Sequence, residues 1–521
     1  MARPMPEDPP VMTIGACTDE SLGVESAHGQ GRAATDKGET IPMKPEPTAK
    51  AQARAIVQGN TSAAALVEAS LQRIDRVNPS LNAVISRDDD RARAEAAAWD
   101  KQRQNHGAEN LPPLAGVPVL IKDNQSTQAL RTTLGSARHL DNVPGADAGI
   151  VARLRAAGAV VVGKTNIPEY SIGANTVNPL FGATGNPFDP RRTCGGSSGG
   201  SAVAVAADMA KLATGSDHGG SLRIPAGFCG VVAFRASPGV VPNEERRTPA
   251  THYSLQGPMA QTVEDAALML SVIADRSLGG GRDPMAFPLE AERFRALDRP
   301  DPGGLRLAVS EDLGGLLVSQ ETRALFRDRI ARLSNAGGFR ALDWHDDLDL
   351  TDAPAVDWML RQDVFVSQYY EEADTWPDDF SPNVRQTYDA ARETSMQDIA
   401  IARHRQLTLI QHMHSLFETY DALIVPCVGV QPFEWRHNYP PRVDGKVIEN
   451  YMAWLHLTSS LTVVGNPVVA LPLGLDERGL PFGVQVIGPR FGDHRLLSIA
   501  AALETLGQGD PALARPCPDL D

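Results

Sequence analysis

Gly195-Gly196-Ser197-Ser198-Gly199-Gly200-Ser201 and Gly215-Ser216-Asp217-His218-Gly219-Gly220-Ser221-Leu222-Arg223-Ile224-Pro225 are the two stretches on which the reading of this chain turns. Between them, residues 202–213 are small and apolar nearly all round, a pattern that predicts a buried helix packed tightly against its neighbours. Two Gly/Ser loops are then anchored at its ends. Flexible linkers of this composition do not flank buried helices, so the serines read as site residues.

Toward the N-terminus, Gly116-Val117-Pro118-Val119-Leu120-Ile121-Lys122-Asp123-Asn124 is a short β-branched run that stops abruptly in charged and amide residues, which puts Lys122 at the end of a strand. Residues 147–157 carry Ile150, Val151, Leu154 and Ala157 on one helical face, with Gly158 as a stop. Ala159-Val160-Val161-Val162 then reads as a buried strand. Earlier in the chain, residues 49–77 predict a helix ended by Asn78-Pro79, and residues 88–104 a second one opened by Asp88-Asp89-Asp90, acids that favour a helix N-terminus rather than form a metal cluster. Downstream, the alternation of Leu305, Leu307 and Val309 predicts a strand. A helix over 319–333, another over 407–417 and a strand over 422–425 follow. Helices alternating with strands indicate α/β layering. Asp343, Asp346, Asp347 and Asp349 lack the Gly and Glu of a calcium loop and read as a solvated loop.

Bulk properties narrow the function. The chain has 521 residues, 42% hydrophobic and 22% charged, which is the composition of an ordinary globular protein. Its 49 basic against 64 acidic residues give a net charge of −15, which weighs against a nucleic-acid partner and points to a small molecule. Five scattered cysteines with no C-x-x-C pair indicate neither a disulfide framework nor a zinc site and suit a reducing cytoplasm. No apolar run reaches membrane-spanning length, and the start of the chain does not read as an export signal.

Two motif readings compete for the chemistry. Gly195-Gly196-Ser197-Ser198-Gly199 satisfies G-x-S-x-G, which would make Ser197 the nucleophile of a histidine-dependent hydrolase; none of the 12 histidines has a context that nominates it as the base. Gly158 to Thr165 matches the phosphate-binding G-x-x-x-x-G-K-[ST] letter for letter and would make the chain a nucleotide-binding protein using Lys164. Its variable residues are strand-like, however, and Pro168 interrupts the helix that a phosphate cradle needs.

The two serine runs and the upstream Ile121-Lys122-Asp123 resemble the amidase signature family. The resemblance extends from about Thr48 to about Leu506, through Gly163-Lys164-Thr165-Asn166 with Glu169, Asn178-Pro179-Leu180-Phe181-Gly182, Gly465-Asn466-Pro467 and Gly483-Val484-Gln485. It implies an α/β fold with a large mixed central β-sheet covered by helices on both faces, in a single domain. Residues 1–47, rich in Gly, Pro, Glu and Asp without periodicity, are expected to be a poorly ordered extension; the resemblance makes 48–521 the amidase signature domain, and 278–386, with more turn signals, acids and aromatics than its flanks, reads as a variable cap over the substrate. The resemblance also implies a triad in which Ser221 attacks the carbonyl, Ser197 relays its proton through a loop with a cis Gly196-Ser197 bond, and Lys122 is the base.

A lysine serves as a base only when neutral, which requires burial or neighbouring positive charge. Backbone N–H groups of His218, Gly219, Gly220 and Ser221 are expected to form an oxyanion hole, Ser198, Asp217 and Arg223 to brace the loops, and Ser171 and Gly196 to contact substrate. No metal or organic cofactor is implied. The substrate expected is a small-molecule amide, with esters and carbamates attacked in the same way. The nearest enzymatic rival is the glutamine-hydrolysing subunit of a tRNA-dependent amidotransferase. The oligomeric state stays open, a homodimer included.

Overall fold

The β-branched run that ends at Lys122 forms the strand Pro118–Lys122, and its neighbours on both sides explain why it is fully buried. In the computed structural model, which describes residues 48–345, 348–375 and 380–520, eleven strands among the described residues make one mixed sheet. In chain order they are β1 (Val84–Ser86), β2 (Pro118–Lys122), β3 (Val160–Thr165), β4 (Leu212–Asp217), β5 (Val232–Arg235), β6 (Leu255–Ala260), β7 (Arg306–Val309), β8 (Ala341–Trp344), β9 (Ala422–Pro426), β10 (Val468–Leu475) and β11 (Pro481–Ile487). Their spatial order is β1-β3-β2-β4-β6-β5-β10-β11-β9-β7-β8. The β3-β2-β4 and β9-β7-β8 groups are parallel, and the strands between and around them pair antiparallel.

Side chains of a strand alternate between its faces, and the core divides accordingly. Val119 and Ile121 join Leu212, Phe234 and Val469 in one apolar cluster, whereas Leu120 joins Ala213, Met259 and the helix Gly199–Ala206 in another. The same alternation carries Lys122 onto the face of Leu120, toward the first Gly/Ser loop. β2 and β4 run parallel in register Val119 with Leu212, so their C-terminal ends, Lys122 and Asp217, lie at one edge of the sheet. Clefts at the carboxyl ends of parallel strands are where open α/β sheets bind ligands.

The expected fold class stands, with local corrections. The long apolar run over 202–213 is not one helix: the helix is Gly199–Ala206, the chain turns at Asp208 with φ 63°, and β4 begins at Leu212. Residues 49–77 form two helices, Ala49–Gln58 and Ala63–Leu81, separated where Gly59 takes φ 77° and Ser62 caps the second. That second helix runs past Pro79, which falls in its last turn, and ends at Leu81, where Asn82 takes the left-handed conformation and the Asn78 side chain accepts the Ala83 and Val84 N–H groups at 2.8 Å each.

Within 278–386, β7, β8 and the helix Gln320–Gly337 belong to the sheet layer, and it is the helix Ala353–Thr375 that reaches the cleft. Asp343 lies in β8 and accepts from the Tyr420 hydroxyl, and Asp349 accepts from Thr351. Asp346 and Asp347, and the extension 1–47, fall outside the described residues.

Gly200 shows why the first loop is glycine-rich. Its N–H donates to Asn166 O, at the end of β3, and a methyl on its α-carbon would stand 2.4 Å from Asn166 N and 2.7 Å from Ala83 O. Backbone on both sides cannot yield. Gly200→Ala is therefore expected to lower stability by about 1–3 kcal/mol, read as a fall in the urea midpoint at unchanged slope.

Candidate active site

Lys122 is buried, and its amine meets hydroxyls instead of carboxylates: Nζ lies 2.8 Å from Ser197 Oγ, 2.9 Å from Ser198 Oγ and 2.8 Å from Ser216 Oγ. The first two come from the loop that opens the helix Gly199–Ala206, the third from β4. Burial pushes the amine down to about 7, against the opposing pull of the Asp217 carboxylate. Its shell holds it in place: the Lys122 N–H donates to Thr214 Oγ1, Asn124 Nδ2 donates to Ser216 Oγ at 3.1 Å, and Ser198 Oγ donates to Ser216 O at 3.2 Å. The Gly196-Ser197 peptide bond is cis.

The second Gly/Ser run is built around Asp217. Arg223 reaches its carboxylate through Nε and Nη2, both at 2.9 Å, and Arg235 through Nη1 at 3.2 Å, all three side chains being inaccessible to solvent. Burial alone would raise the Asp217 carboxyl; the two guanidiniums overcome it and hold the group well below the usual carboxylate range. The same carboxylate accepts the N–H groups of Gly220 at 2.8 Å and Leu222 at 3.2 Å, which winds residues 217–223 into a tight loop. Gly220 has φ 130°, a conformation that favours glycine, and a methyl there would strike Thr458 Oγ1 at 2.3 Å.

That hydrogen bond corrects one expectation. The Gly220 N–H is already committed to Asp217, so it is not a free oxyanion donor. The N–H groups of His218, Gly219 and Ser221 have no hydrogen-bond acceptor among the described residues. His218 offers no proton acceptor of the usual kind: burial first, then the charges of Arg361 and Arg235, push its imidazole down to about 3, with Nδ1 3.0 Å from Ser254 Oγ.

Ser197, Ser221, Ser171, His218 and Gly219 all line one cleft. Among the described residues no hydrogen bond joins Ser221 Oγ to Ser197 Oγ. Gly196 does not line the cleft; it packs against Ala174 and Thr176 beneath it. Lys164, the lysine of the phosphate-loop match, lies inside β3 with no solvent exposure. Its Nζ donates to Gln125 O at 2.5 Å, Thr132 Oγ1 at 2.8 Å and Thr127 Oγ1 at 3.0 Å, so it braces the turn after Lys122 and has no path to a phosphate.

Four contributors escaped the sequence reading. Ser216 stands inside a quoted motif, and its position between two glycine-flanked loops was the available signal. Arg235, Arg361 and Tyr253 arrive from elsewhere in the chain and carry no local pattern.

A cleft at the ends of parallel strands, lined by serines of both Gly/Ser runs with a buried amine beside one of them, is a hydrolase-type site in a large α/β fold, and the chain's relatives agree. Residues 65–497 match the Amidase family model, and the chain belongs to the amidase signature family. It is 31% identical over 473 residues to an acylamidase of Rhodococcus erythropolis, covering 88% of this chain and 95% of that one. It is 33% identical over 480 residues to the A subunit of a glutamyl-tRNA(Gln) amidotransferase from a Synechococcus strain, covering 87% and 90%. The crystal structure of a bacterial aryl acylamidase of the family superposes with a TM-score of 0.77 at 28% identity, over 89% of this chain and 96% of the other. Among the described residues no helix is long and apolar enough to cross a membrane.

Because Asp217 is the common acceptor of two buried guanidiniums and two loop N–H groups, Asp217→Asn is expected to cost about 3–5 kcal/mol, measured by urea denaturation. Removing the carboxylate also removes the one charge that raises Lys122, so its amine should titrate still lower.

Proposed function

We propose that the protein is an amidase that cleaves small-molecule amides through an acyl-enzyme on Ser221, with Ser197 as proton relay and Lys122 as base. The observation that carries this reading is the Lys122 amine, buried, pushed down to about 7 and 2.8 Å from Ser197 Oγ. A neutral amine has two hydrogens and one lone pair, and here it faces three hydroxyls, so one hydroxyl must donate to it. Ser198 directs its hydrogen to Ser216 O. That leaves Ser197 and Ser216, and we take Ser197, whose hydroxyl has Lys122 as its hydrogen-bond partner among the described residues, as the donor.

In the proposed sequence, Lys122 draws the Ser197 proton, Ser197 draws that of Ser221, and Ser221 Oγ attacks the carbonyl carbon. The developing oxyanion is met by the N–H groups of Gly219 and Ser221, with His218 as a further donor. The proton returns through Ser197 to the leaving nitrogen, whose expulsion as an amine depends on receiving it. Water then repeats the sequence and releases the acid. Esters and carbamates present the same carbonyl and are expected as further substrates, a carbamate also releasing carbon dioxide.

The likeness to amidotransferase A subunits supports a second reading, in which the same chemistry hydrolyses glutamine within a complex. Ammonia release from glutamine by the purified chain, compared with release from simple amides, separates the two.

Ser221→Ala is expected to lower kcat by about ten-thousand-fold, and a fluorophosphonate should label Ser221, read by peptide mass spectrometry. An adduct on Ser197 would reverse the assignment. Lys122 acts as base only when unprotonated, so kcat/KM should rise with pH through about 7 and level off above it. A profile flat from pH 5 to 9, or full activity in Lys122→Ala, would remove the lysine from the mechanism.

A further inference from the structure

The helix Ala353–Thr375 places a buried cation on the wall of the cleft. Arg361 is 8% exposed, and its Nη2 lies 2.9 and 3.2 Å from the two carboxylate oxygens of Asp357, whose Oδ1 also accepts from the Tyr253 hydroxyl at 2.9 Å. Burying an ion pair in a protein wall is costly unless its remaining donors are met. Those of Arg361 are not: Nε is buried without a hydrogen-bond partner, and Nη1 has none among the described residues.

The guanidinium lies against the nucleophile's own loop. A methyl on the α-carbon of Gly219 would stand 2.9 Å from Arg361 Nη2, and both residues line the cleft with Ser221. Arg361 meets Asp357 and the Gly219 end of the loop, whereas the Lys122 amine meets Ser197, Ser198 and Ser216. Arg361 thus stands at Gly219, on the loop that carries Ser221, with a different set of partners from the lysine. The leaving nitrogen must lie on the Lys122 and Ser197 side to receive its proton, which leaves Arg361 facing the acyl portion.

The charges around the loop are unbalanced. Arg223, Arg235 and Arg361 face Asp217 and Asp357, one positive charge in excess, and Glu245, an acid that also lines the cleft, is in neither set of ion pairs. Guanidinium donors in a desolvated wall favour oxygen acceptors, carboxylates most strongly.

We propose that Arg361 is a specificity residue that binds an oxygen acceptor, a carboxylate in preference to a neutral carbonyl, carried on the acyl portion of the substrate. This rests on Ser221 being the acylated nucleophile. Butyramide, succinamide and succinamic acid share a chain length and differ at the far end, where they carry a methyl, an amide carbonyl or a carboxylate.

The test is protection of Ser221 from fluorophosphonate labelling by each, in the full-length chain. Succinamide and succinamic acid are expected to protect at about tenfold lower concentrations than butyramide, the acid being the better of the two. In Arg361→Met that gap should close to within about threefold, and Arg361→Lys should keep part of the acid's advantage. Labelling without protectant, together with a cooperative urea transition, shows that each variant is folded. Equal protection by all three in the unaltered protein, or a gap that survives in Arg361→Met, overturns the proposal whether or not a variant folds. Failure of the probe to label Ser221 at all would instead sink the amidase reading, and this inference with it.

Discussion

An ammonium ion cannot be buried cheaply, and the site is arranged around that fact. Lys122 is placed by strand alternation on the face that meets the Gly199–Ala206 helix, where it has no solvent exposure and three hydroxyls for neighbours. Hydroxyls accept and donate but carry no charge, so they satisfy the amine without stabilising its proton. A carboxylate in their place would restore an ordinary lysine. The lowered pKa of the amine is thus a property of the packing of three segments, β2, β4 and the first Gly/Ser loop.

Asp217 sits close enough to threaten that arrangement, and its own neighbours prevent it. Arg223 and Arg235 absorb its charge, and the carboxylate turns its remaining capacity to the N–H groups of Gly220 and Leu222. The site therefore has two parts of different polarity: an uncharged one around Lys122, and an ionic one beneath the loop that carries Ser221. Gly219 is where the ionic part touches the cleft, and there the wall is completed by Arg361 from a helix remote in sequence. The glycines serve this division by close approach. Gly200 lets the helix start rest on the end of β3, and Gly220 lets the loop pass under Thr458.

The chain is similar at like identity to an acylamidase and to amidotransferase A subunits. In this chain the walls of the cleft combine the Arg361–Asp357 pair, on the helix Ala353–Thr375, with Tyr170 and Tyr369 packed edge-on at 5.3 Å.

The two Gly/Ser runs, the strand that ends at Lys122 and the α/β class were legible in the amino-acid order, because each is a local pattern: period-two apolarity, glycines where backbones must meet, a polar stop after an apolar strand. The same local reading misplaced the helix over 202–213, since small apolar residues suit a buried helix and a buried strand equally, and only pairing with β2 and β6 made Leu212–Asp217 a strand. It offered Gly220 as a free donor, because whether an N–H is already taken depends on where a carboxylate points. Arg235, Arg361 and Tyr253 were invisible for the same reason. A charge acquires its role from what it faces after folding, and those partners are chosen by tertiary contact across long stretches of chain, not by spacing within one segment.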